Sequence, residues 1–233
     1  QFKLSINLNP NLIENFIALS DMAYENKDMD SAIEYLNKGA ELNSSDFDLV
    51  IRKAKYQREL KQYDEAINSL SSLNIKNEQI NIMLNKEIFM IYLEQEDYKN
   101  AITLGSTIVE NMFNSTEIED KVLSETCYNV AICNRYLGYE AYNKVVDNIN
   151  TGGSDKEALE YTLEQAEMSL DYFKTSKERF YDASSFDPDD NKSITYAKDL
   201  NQLIKSIKKK FIPEIKARIR QAIEPASEPA NVA

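Results

Sequence analysis

The chain has no histidine and no tryptophan, only five glycines, five prolines and two cysteines among its 233 residues, and no long apolar run. Without histidine there is no His-based acid-base pair, no Cys-His dyad and no His-ligated metal, so the commonest catalytic and zinc arrangements are excluded. The carboxylates fall mainly at positions that read as exposed helix surface, and no catalytic residue, metal or cofactor is expected. No proline occurs between Pro10 and Pro188, which leaves a long stretch free of obligatory helix breakers. The two cysteines, Cys127 and Cys133, are six residues apart in a segment read as helical. They would sit about 240° apart around the helix and about 9 Å along it, beyond disulfide reach. Two free, buried thiols favour a reducing compartment such as the cytoplasm, with a bacterial periplasm as the alternative if an upstream signal was removed.

Basic residues are also short in number. Lys and Arg total 27 against 39 Asp and Glu, a net charge of −12. That balance argues against a nucleic-acid partner, since phosphate neutralisation needs a basic surface. No segment approaches the roughly 18 to 20 apolar residues of a membrane span. Hydrophobic content of 42% with 28% charged residues is enough for a packed core. Rich use of Asn, Lys and Ile is associated with AT-rich genomes, here read as bacterial.

What is present is a repeat. Asp28-Met29-Asp30-Ser31-Ala32-Ile33 returns as Gln62-Tyr63-Asp64-Glu65-Ala66-Ile67 and again as Asp97-Tyr98-Lys99-Asn100-Ala101-Ile102, the alanines 34 and 35 residues apart. This spacing predicts stacked helical hairpins. Within each period apolar and small residues recur at three- and four-residue steps, as in Phe16, Leu19, Ser20 and Ala23 and then Ala32, Leu36 and Gly39. A turn is expected at Asn26-Lys27-Asp28. Ser45 with Asp48, Thr116 with Glu119 and Ser154 with Glu157 read as capping boxes.

Beyond the third repeat the pattern lengthens. A helix of roughly 30 residues is expected to run from the Thr116 box past Gly138 through Tyr142, Val145, Val146 and Ile149. Asn150-Thr151-Gly152-Gly153 breaks it. The next helix carries a seam of Leu159, Thr162, Ala166, Ser169, Phe173, Ser176, Phe180 and Ala183. The two should form an elongated antiparallel hairpin projecting to a tip at Gly152-Gly153. After Asp190, Ile194, Ala197, Leu200, Ile204, Ile207 and Phe211 give one apolar face, expected to cover that hairpin, until Pro213 breaks or kinks the helix before a short one from Ile215 to Ile223. Asp187-Pro188-Asp189-Asp190-Asn191 reads as a turn and N-cap; as a calcium loop it would want Gly and Glu where Lys192 and Lys198 stand. Gly152-Gly153 lacks the Lys-Ser/Thr pair of a phosphate loop.

These motifs resemble the tetratricopeptide repeat (TPR) family, whose first helix carries large, then large-small positions, and whose second carries Ala, a large residue and a small one. The match is good in the first two units, is met again at Cys127-Tyr128-Asn129-Val130-Ala131 and near Phe180 and Ala183, and departs from the pattern at Phe89 and Gly105. The resemblance implies an all-α, right-handed superhelical solenoid of antiparallel helix hairpins, with an elongated last hairpin and a C-terminal capping helix. Residues 1–224 would be one domain: 1–12 a remnant of an earlier repeat, 13–46, 47–80 and 81–115 repeats, 116–190 the elongated hairpin, 191–224 capping helices, and 225–233 a disordered tail.

In proteins of this family, first-helix residues line a concave groove that binds a peptide or partner protein. Carried over by register, those positions are Ile17, Asp21, Tyr24, Lys55, Arg58 and Lys86, then Met90, Leu93, Tyr128, Ile132, Arg135 and Tyr136. Lys55 and Lys86 are basic where a carboxylate clamp would be, but the matching Asn residues are missing. The expected function is a non-catalytic scaffold or adaptor. The alternative is a structural subunit or oligomer built through the long hairpin and the one basic region, Lys205, Lys208, Lys209, Lys210, Lys216, Arg218 and Arg220, which otherwise reads as a solvated helix face.

Overall fold

The computed structural model describes residues 12–73, 76–113 and 119–223, and every regular element among them is helical. The all-α, hairpin-built architecture expected from the period is therefore present. Residues 1–11 of the remnant expected at 1–12, Thr116 of one capping box and the tail from residue 225 lie outside the described residues. The chain divides between Asp97 and Tyr98 into two compact units.

The first unit contains α1 (Ile13–Glu25), α2 (Met29–Leu42), α3 (Phe47–Glu59), α4 (Tyr63–Ser71) and α5 (Glu78–Glu94). Its repeating alanines do what the period requires: Ala32 and Ala66 are fully buried, as are Leu36 and Leu70 within 1%. Gly39 admits the neighbouring helices closely, since a Cβ there would stand 2.9 Å from Leu49 Cδ2 and 3.3 Å from Phe16 Cβ. Three helix ends share one geometry that the sequence did not announce. Lys27, Lys61 and Glu96 adopt φ of 61°, 59° and 57°. The following amides reach back to close the turn: Asp28 N donates to Ala23 O at 3.0 Å, Gln62 N to Gln57 O at 2.8 Å and Asp97 N to Tyr92 O at 2.9 Å. This is the Schellman closure, normally led by glycine because a Cβ is strained in the left-handed region. Lys61→Gly is accordingly expected to stabilise the chain by about 0.5–1 kcal/mol, read as a raised thermal midpoint. A fall in the midpoint would mean the lysine stem contributes more by packing than its backbone costs.

Carboxylates and amides cap the starts. Asp28 accepts from Ser31 N, and the Ser31 hydroxyl first and this amide second hold its carboxyl below the usual range; Asn77 accepts from Ile80 N at 3.1 Å. The expected Ser45-Asp48 box is corrected to Asp46, whose carboxylate accepts from Leu49 N at 3.2 Å. The cause is the preceding turn: Ser45 N donates to Asn43 Oδ1 and Asp46 N to Asn43 O, so the helix cannot open before Asp46.

The second unit contains α6 (Tyr98–Phe113), α7 (Asp120–Asn150), α8 (Lys156–Phe186), α9 (Asn191–Ser206) and α10 (Ile212–Ile223), the last two joined by a π-helical turn, Ile207–Phe211. The long hairpin is α7 and α8, 31 residues each. All eight seam residues from Leu159 to Ala183 are buried. Two serines pin the helices across the seam, Ser124 Oγ donating to Ala183 O at 2.9 Å and Ser176 Oγ to Ala131 O at 2.7 Å. One to two turns beyond the second pin, toward the hairpin tip, Phe173 lies over Gly138, where a Cβ would stand 2.6 Å from Phe173 Cε1. Gly152 turns the chain with φ 76°.

Two starts and one break differ from expectation here. Helix α7 begins after Glu119 with no side-chain cap bond. Helix α8 is capped by Asp155, not Ser154; its carboxylate accepts from Ala158 N at 2.8 Å, a position where negative charge meets the helix dipole. Asp190 caps α9 through Ser193 N at 3.0 Å, as expected of the Asp187–Asn191 turn. Pro213 does not break the helix. It lacks an N–H and its ring would clash with the carbonyl four residues earlier; the π turn immediately before it widens the backbone there, and the chain continues as α10. Helix α10 then reaches the distal half of the hairpin, where Ile215 is buried with Val145 and Ala166, flanked by Ile149, Leu163 and Ile219. Cys127 and Cys133 are free and buried, and burial pushes both thiols up to about 12, with the Asp182 carboxylate adding to the shift at Cys127. No described helix is long and apolar enough to cross a membrane.

Candidate functional site

In the first unit the predicted groove residues are joined to one another through partners one repeat away. Asp21 on α1 accepts from Arg52 Nη1 and from Tyr56 Oη, the latter at 3.0 Å, both on α3. Tyr24 stacks on Tyr56 with ring centres 4.6 Å apart and planes 10° apart. Its hydroxyl donates to Glu59 Oε1 at 2.6 Å, and that bond to a carboxylate holds the Tyr24 pKa above its ordinary value. Tyr56 is also raised, by burial first. From α3 the network passes to α5: Arg58 Nη1 donates to Glu87 Oε2 at 3.1 Å, Arg58 Nε lies 3.3 Å from Glu94 Oε1, and Lys55 Nζ is 3.7 Å from Glu87 Oε1. Asp21, Tyr24, Lys55 and Arg58 thus form a ladder across the first helices. Ile17 packs against the core of Ala23, Ala32, Leu36, Leu49 and Tyr56, while Lys86, Met90 and Leu93 lie half-buried on α5.

The ladder partners Arg52, Tyr56, Glu59, Glu87 and Glu94 were missed. Their signal was present: Tyr24 and Glu59, like Asp21 and Tyr56, are 35 residues apart, one repeat, which puts complementary groups at equivalent sites of adjacent first helices.

In the second unit the predicted residues separate. Tyr136 turns to α6, its ring centre 4.7 Å from that of Tyr98. Tyr128 and Ile132 pack against the cluster of Phe173, Phe180, Ala197 and Leu200. Arg135 lies with its guanidinium carbon 4.2 Å from the centre of the Tyr196 ring on α9. Lys192 completes the arrangement, its Nζ 5.4 Å from the Tyr128 ring centre and 5.8 Å from that of Tyr196. Phe180 supports both tyrosines from beneath, at 5.7 Å and 5.3 Å between ring centres. The Tyr128 hydroxyl raises the Lys192 pKa, with smaller contributions from the Tyr196 phenol and the Asp190 carboxylate. Neither cation has an ion pair among the described residues. The chemistry offered is a positively charged, aromatic-walled surface that accepts a carboxylate while the ring faces take apolar stems. Lys192 and Tyr196, four residues apart on α9, lay outside the expected set because a first-helix register does not include a capping helix.

The basic region is surface on α9, the π turn and α10. Lys216 pairs with Glu167 on α8 at 3.1 Å, Arg218 lies 4.0 Å from Glu214, and Lys210 sits over the Phe211 ring at 5.9 Å. Lys205, Lys208, Lys209 and Arg220 are exposed and have no ion pair among the described residues. Among those residues, too, no three Cys, Asp or Glu side chains are grouped to hold a metal ion.

No known family profile matches the chain, and no curated protein matches its sequence. Several solved structures are similar to it. One is YrrB, described as a TPR protein with an unusual peptide-binding site, at 16% identity and a TM-score of 0.44 over 84% of this chain and 97% of that one. Another is MamA from residue 41 to its end, from Desulfovibrio magneticus RS-1, at 12% identity and 0.47 over 91% and 94%. A third, the yeast Sti1 TPR2AB domain in complex with pHSP90, is similar at 16% identity and 0.39 over 91% and 98%.

Proposed function

We propose that the protein is a non-catalytic interaction scaffold that holds an acidic segment of a partner polypeptide, and that Tyr128, Arg135, Lys192 and Tyr196 form its contact surface. The observation that carries this reading is the state of the charges. In the first unit Asp21, Lys55 and Arg58 already have protein partners, so a ligand there would displace ion pairs before gaining any. In the second unit Arg135 and Lys192 stand on aromatic rings without an ion pair among the described residues, and the Asp190 carboxylate that acts on Lys192 is engaged as the α9 cap. A cation held on a ring face has its rotamers restricted in advance, so less ordering entropy is lost when a carboxylate docks. The first unit serves as a preorganised support, its ladder fixing one first helix against the next.

The test compares capture from native lysate by three chains: wild type, a Tyr128→Ala, Arg135→Glu variant, and a Tyr24→Ala, Arg58→Glu variant, all matched for helicity. The expected result is loss of at least tenfold in a specific acidic partner on the first variant, about 1.4 kcal/mol or more, with retention on the second. Equal capture by all three would overturn the reading.

A further inference from the structure

The structure carries a second surface, on the far side of α9 from Lys192 and Tyr196. Asn191 to Ile223 contains nine basic and two acidic residues in a chain of net charge −12. On the side of this helix that meets α8, Lys205, Lys208 and Arg220 are exposed and unpaired among the described residues. Beside them α8 exposes Glu160, Glu164 and Glu167, which at 100° per residue fall within about 60° of one another, a single stripe. The Glu167–Lys216 pair at 3.1 Å marks where stripe and ridge meet and sets their relative height. One edge of the second unit therefore presents Glu160, Glu164 and Glu167 over about 10 Å of α8, Glu160 lying 3.6 Å from Lys156 of its own helix, next to the cations of the α9–α10 ridge.

We infer that this edge pairs with the same edge of a second copy of the chain. A two-fold axis parallel to the helices brings α8 of one copy over the α9–α10 ridge of the other at equal height, so that Glu160 and Glu164 meet Lys216 and Arg220, twice over. Such an isologous contact is closed and self-complementary. Each exposed pair is weak by itself and screened by salt; the dimer gathers several and excludes water between them. A second copy is the partner whose complementary stripe is on the page. An anionic membrane would engage the ridge alone and leave the stripe facing lipid phosphates.

Sedimentation of the full chain tests this. Expected is a dimer at about 50 mM salt that dissociates by about 500 mM, as the screening length shrinks several-fold. Lys216→Glu, Arg220→Glu and, separately, Glu160→Lys, Glu164→Lys should each weaken self-association at least tenfold. Mixing the two reversed variants should restore a one-to-one heterodimer, which misfolded chains could not do. A wild type that stays monomeric at low salt, variants that dimerise normally, or a mixture that fails to associate would each overturn the inference; binding of the monomer to phosphatidylserine vesicles would assign the ridge to a membrane surface.

Discussion

Gly138→Ala is expected to destabilise the second unit by about 1–3 kcal/mol, although alanine is the better helix former by about 1 kcal/mol. The added methyl would stand 2.6 and 2.7 Å from Phe173 Cε1 and Cδ1, and Phe173 has no exposed surface through which to retreat. The ring also meets Tyr139, edge-on at 5.0 Å between centres. The serine pins Ser124–Ala183 and Ser176–Ala131 keep the two helices from separating to make room. Denaturant unfolding of Gly138→Ala, Phe173→Leu and the double variant measures it. Each single change should cost stability, and the double should cost less than their sum because leucine vacates the space that the methyl needs. Additive losses would mean that Gly138 is required for its backbone and not for the closeness of Phe173.

Ile215→Asp should have an effect of similar or greater size, in a different place. Ile215 is 1% exposed and packs on Val145 and Ala166. An ionised carboxylate has no partner there, and a buried unpaired charge costs several kcal/mol. The chain avoids that cost by releasing α10 from the hairpin, so the loss is capped at the docking free energy of that helix. Hydrogen exchange should show protection lost over residues 212–223 while α9, held by Ala197, Leu200 and Ile207, keeps its own. Ile215→Leu, of equal volume, should leave both protected. Loss of protection throughout the second unit would mean instead that α10 is part of one cooperative core with α7 and α8.

Burial was the legible part of the sequence because it follows side-chain chemistry and period. Ala32, Ala66 and Ala101 are each fully buried, and the seam from Leu159 to Ala183 is the eight residues that its three- and four-residue steps select. The starts of α3 and α8 were legible to within a residue, and that of α7 was not. Ser45 and Asp46, or Ser154 and Asp155, are adjacent capping side chains, and the choice between them is made by backbone turns that composition does not encode. The left-handed ends were hidden because Lys27, Lys61 and Glu96 are not glycine. The candidate site was half legible. The register found Tyr128 and Arg135 but had no means of supplying Lys192 and Tyr196 from α9, and it assigned to ligand the charges that Arg58, Glu87 and Glu94 use on one another.

The π turn at Ile207–Phe211 has a further meaning for how this helix tolerates change in length. A π turn is an α-helix holding one residue more than its pitch requires. Ile207 and Ile215 are eight positions apart, yet both are buried against the hairpin; in an unbroken α-helix that separation would rotate them by about 80°. Seven positions would bring them nearly into line. The segment Lys208-Lys209-Lys210 therefore holds slack: losing one lysine closes the turn into plain α-helix and leaves both isoleucines facing inward. Adding one would turn α10 the other way and carry Ile215 off the hairpin.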